Sequence, residues 1–443
     1  MTGLSRAVAG KPVAPVRIVH LGLGAFHRAH QAWYTGAVSD DWGIAAFTGR
    51  SSEAAEVLTR QDGLYTLVER GRDSDTSTVV SSIAEAVDGA RVDRLVQLIE
   101  AESTALVTLT VTEAGYRLLA DGQPDEGDPV MAADLAGEPP RSPLGRLVLA
   151  LEARRRQGAP IAIVPCDNLP ANGAFVRAGM LALAERRDSG LATWIDQNVS
   201  FVSTSVDRIT PRLAPADRDI AERLGVWTDE APVITEPFTD WILSGTFPAG
   251  RPDWEAAGAS FVSHITPFEH RKLWLLNGAH SLLAYLGTMR GFDVVSNAIS
   301  DPICRTSVLQ FWWEARRTLS DESLGVDEYC AALLRRFENA RIRHELAQIA
   351  TDGATKLRLR VVPTARAERS AGRDAPGSVT VIAAWIATIR SGRYGADSEG
   401  VAITAAAGDV RALVRILDSD LADDSALITA VTLELSSLLK ESP

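Results

Sequence analysis

Lys272, Asn277 and His280 stand in the leucine-rich run 266–287, TPFEHRKLWLLNGAHSLLAYLG, with Glu269 one turn ahead of the lysine. An amine, an amide and an imidazole on one element can move a proton and hold an oxygen whose charge changes. At about 100° per residue the four fall on an arc of roughly 140°, one broad helix face. Polar groups set among Leu273, Leu275, Leu276, Leu282, Leu283 and Leu286 are costly to bury unless they meet something polar. The plain alternative is a solvated stripe on an amphipathic surface helix. Thr266 reads as the N-cap, Pro267 as the first helical position and Glu269 as the third, where it closes a capping box. Gly287 reads as the stop.

The chain has 443 residues and 45 lysines and arginines, yet only Lys11, Lys272, Lys356 and Lys440 are lysines. Lys272 and Lys356 alone lie away from the termini. Arginine stays protonated, whereas a buried lysine lowers its pKa and can accept a proton. Lys272 is therefore a candidate for work that a guanidinium cannot do, set against chance persistence.

Composition narrows the class. A net charge of −12 disfavours nucleic acid or an anionic membrane as partner. Cys166, Cys304 and Cys330 are odd in number and lack metal-site spacing, which suits a reducing compartment. HExxH, CxxC, GxxxxGK[ST] and GxSxG patterns do not occur, which disfavours zinc-peptidase, P-loop and nucleophile-elbow chemistry. His27 and His30 lack neighbouring ligands, so they are expected to pack beneath a turn rather than bind metal. With no apolar leader and no bilayer-length apolar stretch, a cytoplasmic protein is expected.

Elements that could present the polar helix to a cofactor come first in the chain. VRIVHLG (16–22) reads as a buried strand that turns through Gly22, Gly24, Ala25 and Phe26 into a helix from about Ala29. This is the dinucleotide-turn context, although the third glycine of the motif is His27. WGIAAFTG (42–49) is a second strand; Glu53 beyond it could bind a ribose hydroxyl, while Arg50 could accept a 2′-phosphate. Further strands are expected over 63–70, 77–86, 104–116, 159–166 and 199–211, with helices over 92–101, 144–157, 172–188 and 190–198. Residues 117–142 read as a surface excursion. Strand 104–116 would end at Thr112 and Glu113, strand 159–166 before Asp167, Asn168 and Asn172, and strand 199–211 near Asp207 and Arg208. Such carboxyl ends face the cofactor crevice of a doubly wound sheet, although loops also use Asn and Asp for turns alone. From 266 onward helices dominate, with the FWW run 311–313 read as helical core. Oxidation of an alcohol by NAD(P) without metal needs a base for the hydroxyl proton and donors around the oxygen. Lys272, with Asn168 and Asn277, would meet those needs if the two segments converge.

These residues together resemble the polyol-specific long-chain dehydrogenase/reductase family, which includes mannitol 2-dehydrogenases and fructuronate reductases. The motifs are GLGAFHRAHQAWY (22–34), QDGLYTL (61–67), LTVTEAGY (109–116), CDNLPANG (166–173), VDRITP (206–211), TEPF (235–238), KLWLLNGAH (272–280) and ATDGATKL (350–357). They run in the family's order over nearly the whole chain, and the family's GxGxFHRAH turn accounts for the missing glycine.

The resemblance implies an α/β fold: a Rossmann-type NAD(P)-binding domain over 1–265 and a mainly α-helical domain over 266–443, with the site between. It implies Lys272 as metal-independent general base, Asn168 and Asn277 on the reacting oxygen, and His280 on substrate hydroxyls and the lysine. Asp207 is placed in the substrate pocket and Glu269 in proton relay. Lys356, in a basic cluster with Arg358 and Arg360, could contact substrate or lie on a solvated face. Gly22, Gly24, Ala25, Phe26, Arg50, Glu53, Thr112 and Glu113 are expected around the cofactor. Ser52-Glu53 stands where NAD-preferring relatives carry an acidic pair, so NAD is preferred with NADP left open. The implied substrate is a linear polyol or sugar acid. A pentitol dehydrogenase and a non-catalytic sugar sensor are the alternatives, and oligomeric state is left undetermined.

Overall fold

A computed structural model describes residues 2–38 and 41–441. The chain divides into two compact units, Met1–Thr266 and Pro267–Pro443. The first unit carries β1 (Val16–Leu21), β2 (Gly43–Phe47), β3 (Tyr65–Arg70), β4 (Asp75–Val80), β5 (Ile83–Val87) and β6 (Leu106–Leu109). After these come β7 (Ile161–Pro165), β8 (Val199–Phe201), β9 (Ser203–Asp207), β10 (Val233–Thr235), β11 (Asp240–Ser244) and β12 (Ser260–Phe261).

Six strands pair in parallel in the order β5-β2-β1-β6-β7-β8. The inner strands β2, β6 and β7, and β1 from Ile18 on, are short runs buried on both faces, as a helix-clad parallel sheet requires, while the edge strands β5 and β8 are partly exposed. Alternation divides their side chains between two cores. Val19, Ala45, Phe47, Val107 and Ile163 join one, and Ile18, Ile44, Ala46, Leu106 and Val164 the other. Strand order reverses between β1 and β6, and such a reversal opens a crevice at the strands' carboxyl ends. The remaining strands form two small sheets, β10-β3-β4 and β12-β11-β9.

Three expected strands are corrected. The run 77–86 serves two sheets: Val80 pairs with Tyr65, while Ile83 pairs with Ile44. The run 199–211 divides likewise into β8 and β9 around Val202. The run 104–116 is strand only over Leu106–Leu109, and Glu113–Tyr116 is a helical turn. A strand ends where its partner ends, and β-branched composition does not register that. Thr112 and Glu113 therefore stand on the exposed turn after the strand. The helix after the glycine turn begins at Ala25, not Ala29, so Ala25 and Phe26 are its first residues. Within the excursion 117–142, Asp128 caps a helix over Pro129–Leu135.

The described part of the second unit is helical. Helix Pro376–Arg390 is apolar all round and buried along most of its length, the mark of a central core helix. In the FWW run Phe311 and Trp312 are buried, but Trp313 is 58% exposed beneath the Arg317 guanidinium. The polar helix starts at Thr266 and runs α-helically to Arg271. Lys272–Asn277 and Leu283–Gly287 are π-helical. Gly287 is not the stop; the helix ends at Gly291 (φ +83°), where the Phe292 N–H returns to Gly287 O. Gly287 instead permits close packing, since a Cβ there would lie 2.9 Å from Ala298 Cβ and from Leu346 Cδ1.

Candidate functional site

In the first unit the candidate site lies at the strand-order reversal. Gly22 leaves β1 with φ +112°, and its N–H donates to Phe47 O at 2.9 Å. Thr110, just past β6, donates its hydroxyl to Gly22 O at 2.8 Å. A Cβ on Gly22 would sit 2.5 Å from Thr110 O, so this turn accepts only glycine. Gly24, in extended conformation, precedes the helix Ala25–Ala29.

Beneath the turn, His20 and His27 stack with ring centroids 3.3 Å apart. Both His20 nitrogens lie within hydrogen-bond reach of hydroxyls, Nδ1 of Thr108 at 2.8 Å and Nε2 of Thr110 at 3.1 Å. Burial pushes the His20 pKa down to about 3. Burial, then the neighbouring His20, holds His27 well below the usual histidine range, so two neutral rings can stack. His30 is buried with Nε2 3.2 Å from Asp240 O. These histidines pack under the turn, and the described residues contain no cluster of three or more His, Cys, Asp or Glu fit to hold a metal ion.

Ala25 and Glu53 line one cavity of about 230 Å³ with Arg28, Val57 and Glu230. Glu53 begins helix Glu53–Arg60, and both Arg50 and Glu53 are exposed.

At the end of β7 the two asparagines divide in role. Asn172 is buried and ties the loop down, donating to Thr204 O at 3.1 Å and accepting from the Thr204 N–H at 2.9 Å. Tyr116 donates to Asp167 Oδ2 at 2.5 Å. Asn168, between these anchored residues, is exposed. Asp207 ends β9 and pairs with Asp240, so it lies on a small sheet beside the main one. The adjacent Arg208 is buried and structural, donating to Ala29 O at 2.7 Å and Glu236 O at 3.1 Å.

In the second unit Lys272 and Asn277 bracket the first π-helical segment and are half-buried, as is Glu269. His280 follows one turn later and is buried, with Nε2 lacking a hydrogen-bond partner among the described residues. Burial first, then His344 and nearby arginines, lowers its pKa well below the usual value. His344 stands edge-on to it at 4.8 Å and Phe337 at 5.0 Å. His344 has no periodic relation to His280, 64 positions earlier, so only tertiary packing identifies it.

The basic cluster at 356–360 divides: Arg358, two residues from each of the others, points off their face, while Lys356 and Arg360, four apart on helix Gly353–Arg360, share one. Lys356 Nζ donates to Ile349 O at 3.0 Å and Thr351 Oγ1 at 3.2 Å, and burial lowers its pKa. Arg358 holds Ile416 O at 2.9 Å. Arg360 donates to Ser281 Oγ at 3.2 Å, and burial brings its pKa down to about 10.

With this arrangement in view, two family models cover nearly the whole chain: the mannitol dehydrogenase Rossmann domain over residues 16–256 and the mannitol dehydrogenase C-terminal domain over 264–439. The chain belongs to the mannitol dehydrogenase family. Relatives include the D-mannonate oxidoreductase of Escherichia coli (strain K12), 38% identical over 87% of this chain and 82% of that protein. A mannitol 2-dehydrogenase of Pyrenophora tritici-repentis (strain Pt-1C-BFP) is 35% identical over 83% of this chain and 68% of that protein. Among solved structures, substrate-free D-sorbitol dehydrogenase superposes over the full length of both chains with TM-score 0.89 and 26% identity. The Pseudomonas fluorescens mannitol 2-dehydrogenase, in ternary complex with NAD and D-mannitol, gives TM-score 0.80 and 29% identity, again over all of both chains. No helix among the described residues of this family member is long and apolar enough to cross a membrane.

Proposed function

We propose that this chain is an NAD-dependent dehydrogenase that interconverts the C2 alcohol of a linear polyol or aldonate and the corresponding ketone. The observation that carries the reading is the widened turn at Lys272–Asn277, which brings an amine and an amide onto one side of a helix whose next turn carries His280. The dinucleotide fits the first unit by its glycine-only turn at the strand-order reversal. Gly22, Gly24, Ala25 and Phe26 would cradle the pyrophosphate, Glu53 and Arg50 the adenosine end, and Thr112 and Glu113 the rim. When bound, the cofactor supplies a hydride acceptor for oxidation or a hydride donor for reduction.

The chain's own residues handle the proton. In oxidation Lys272, deprotonated, takes the hydroxyl proton at Nζ and passes it by way of Glu269 to solvent. Asn168 and Asn277 donate hydrogen bonds to the reacting oxygen, stabilising its negative character. His280 and Asp207 bind neighbouring hydroxyls. Two of the three donors on the Lys356 ammonium are engaged by described residues, and the third would meet substrate. The similarity to a D-mannonate oxidoreductase and to mannitol 2-dehydrogenases supports a C2 substrate of this class. Glu53 supports NAD over NADP.

The test offers mannitol, arabinitol, sorbitol, mannonate and altronate with NAD+ or NADP+, following absorbance of the reduced cofactor, with Lys272→Ala beside the parent. Turnover of mannonate or mannitol, reduced about a thousandfold or more in Lys272→Ala, is expected. Turnover of arabinitol alone would select the pentitol reading. Silence across the panel with NAD+ still bound would select a sensor, and full activity in Lys272→Ala would remove the base.

A further inference from the structure

We infer that Trp312 is a positioning residue for the Lys272–Asn277 pair, an inference that rests on the function proposed above. In an unbroken α-helix residues five apart are separated by about 140° around the axis. With the roughly 4.4 residues per turn of a π-helix the same pair closes to about 50°. The segment Lys272–Asn277 adopts this wider form, and the Gly278 N–H is shared between Leu273 O, five residues back, and Leu275 O, three residues back. A widened turn loosens its carbonyls from the ordinary ladder and survives when another donor takes one up. Here the added donor is the Trp312 indole, which bonds Leu275 O at 2.8 Å in a buried setting, on a carbonyl that the helix itself holds only through the shared Gly278 N–H.

The indole is delivered by a helix that cannot slide. Helix Pro302–Thr318 carries Phe311 between two glycines. A Cβ on Gly278 would lie 2.5 Å from Phe311 Cε1, and one on Gly377 2.6 Å from Phe311 Cα. Two residues past Trp312, buried Glu314 accepts from the Ser378 N–H at 2.9 Å and the Ser378 hydroxyl at 2.8 Å. The Trp312 ring also neighbours Phe337 at 6.3 Å, and Phe337 neighbours His280 at 5.0 Å. One side chain thus supports the turn between base and amide and backs the ring beside the histidine.

Trp312→Phe keeps an aromatic ring and removes the donor; Trp313→Phe, on the exposed neighbour, is the control. The assay is oxidation of D-mannonate, or of D-mannitol if that is faster, across pH 6–10, with melting temperature and NAD+ affinity measured alongside. Trp312→Phe is expected to lower kcat about 10- to 100-fold, displace the pH–rate limb and leave NAD+ affinity unchanged, while Trp313→Phe matches the parent. If Trp312→Phe does not fold, benzothienylalanine at 312, which puts sulfur in place of the N–H at nearly constant shape, takes its place. Parental kcat and pH profile in the donor-less protein, with or without a lower melting temperature, would overturn the inference. Lys272→Ala separates the two failures: if it too keeps full activity the proposed base is wrong, whereas if only it is inactive the role of Trp312 alone is refuted.

Discussion

Replacing Gly22 and Gly24 one at a time by alanine should separate fold from cofactor binding within four residues of sequence. At Gly22 two costs add. Its φ of +112° lies outside what an L side chain adopts readily, at about 1–3 kcal/mol. The new Cβ would also lie 2.5 Å from Thr110 O and 2.6 Å from Thr110 Oγ1. Thr110 cannot retreat cheaply, since its own N–H donates to Leu21 O at 2.9 Å; overpacking of this kind costs about 1–3 kcal/mol more. A total of about 2–6 kcal/mol corresponds to a melting temperature lower by roughly 5–20 °C. At Gly24 the backbone is extended and the nearest atom to a Cβ would be Gly22 O at 3.6 Å, so stability should change little. The methyl there would stand where a pyrophosphate must approach the helix start, raising the dissociation constant for NAD+ about tenfold or more. Scanning fluorimetry and a fluorescence titration with NAD+ read both quantities. A Gly22→Ala protein melting within about 2 °C of the parent, or a Gly24→Ala protein with parental NAD+ affinity, would refute the reasoning.

Two further outcomes concern pH. Burial alone would raise the Glu368 pKa, but hydrogen bonds from Arg373 and Arg317 bring it down to about 2. Its stabilising contribution is therefore full above the ordinary carboxylate pKa and lost as pH falls from about 4.5 towards 2. Glu368→Gln should be less stable at neutral pH by about 3–5 kcal/mol and lose part of the parent's acid sensitivity in urea titrations at pH 7 and pH 4; equal stability of the two proteins at pH 7 would count against the pair. For His20, held near 3 by burial, the unfolded chain binds the extra proton between about 6.5 and 3, so stability falls as pH drops through that window. In a histidine-labelled NMR spectrum its ring should not titrate between pH 5 and 8, and a midpoint near 6.5 would show that the stacked pair is not neutral by burial.

Local patterns carried much of the outline. The apolar runs of β1, β2 and β7 are short and bounded by glycine or proline, so their existence and burial were legible. Helices such as Asn172–Arg187 and Ser189–Asn198 lie close to their expected bounds because caps and breakers are local. The rarity of lysine singled out Lys272 without any structure. The reach of 104–116, by contrast, depended on where β1 stops, and 77–86 and 199–211 each looked like one strand because periodicity does not say which sheet receives a residue. Trp312 and Trp313, adjacent and chemically identical, divide into a buried donor and an exposed ring.

Sequence alone thus determined the α/β unit followed by a helical one, the glycine turn at the first strand, and the run of amine, amide and imidazole. These follow from backbone preference and side-chain chemistry within a few residues. Tertiary structure decided that the lysine's helix widens into a π-turn, that Trp312 bonds the carbonyl of Leu275, and that His344 abuts His280. The last two join groups tens of residues apart, and the first, though its own bonds are local, is steadied by such a remote partner rather than by any propensity of its own residues.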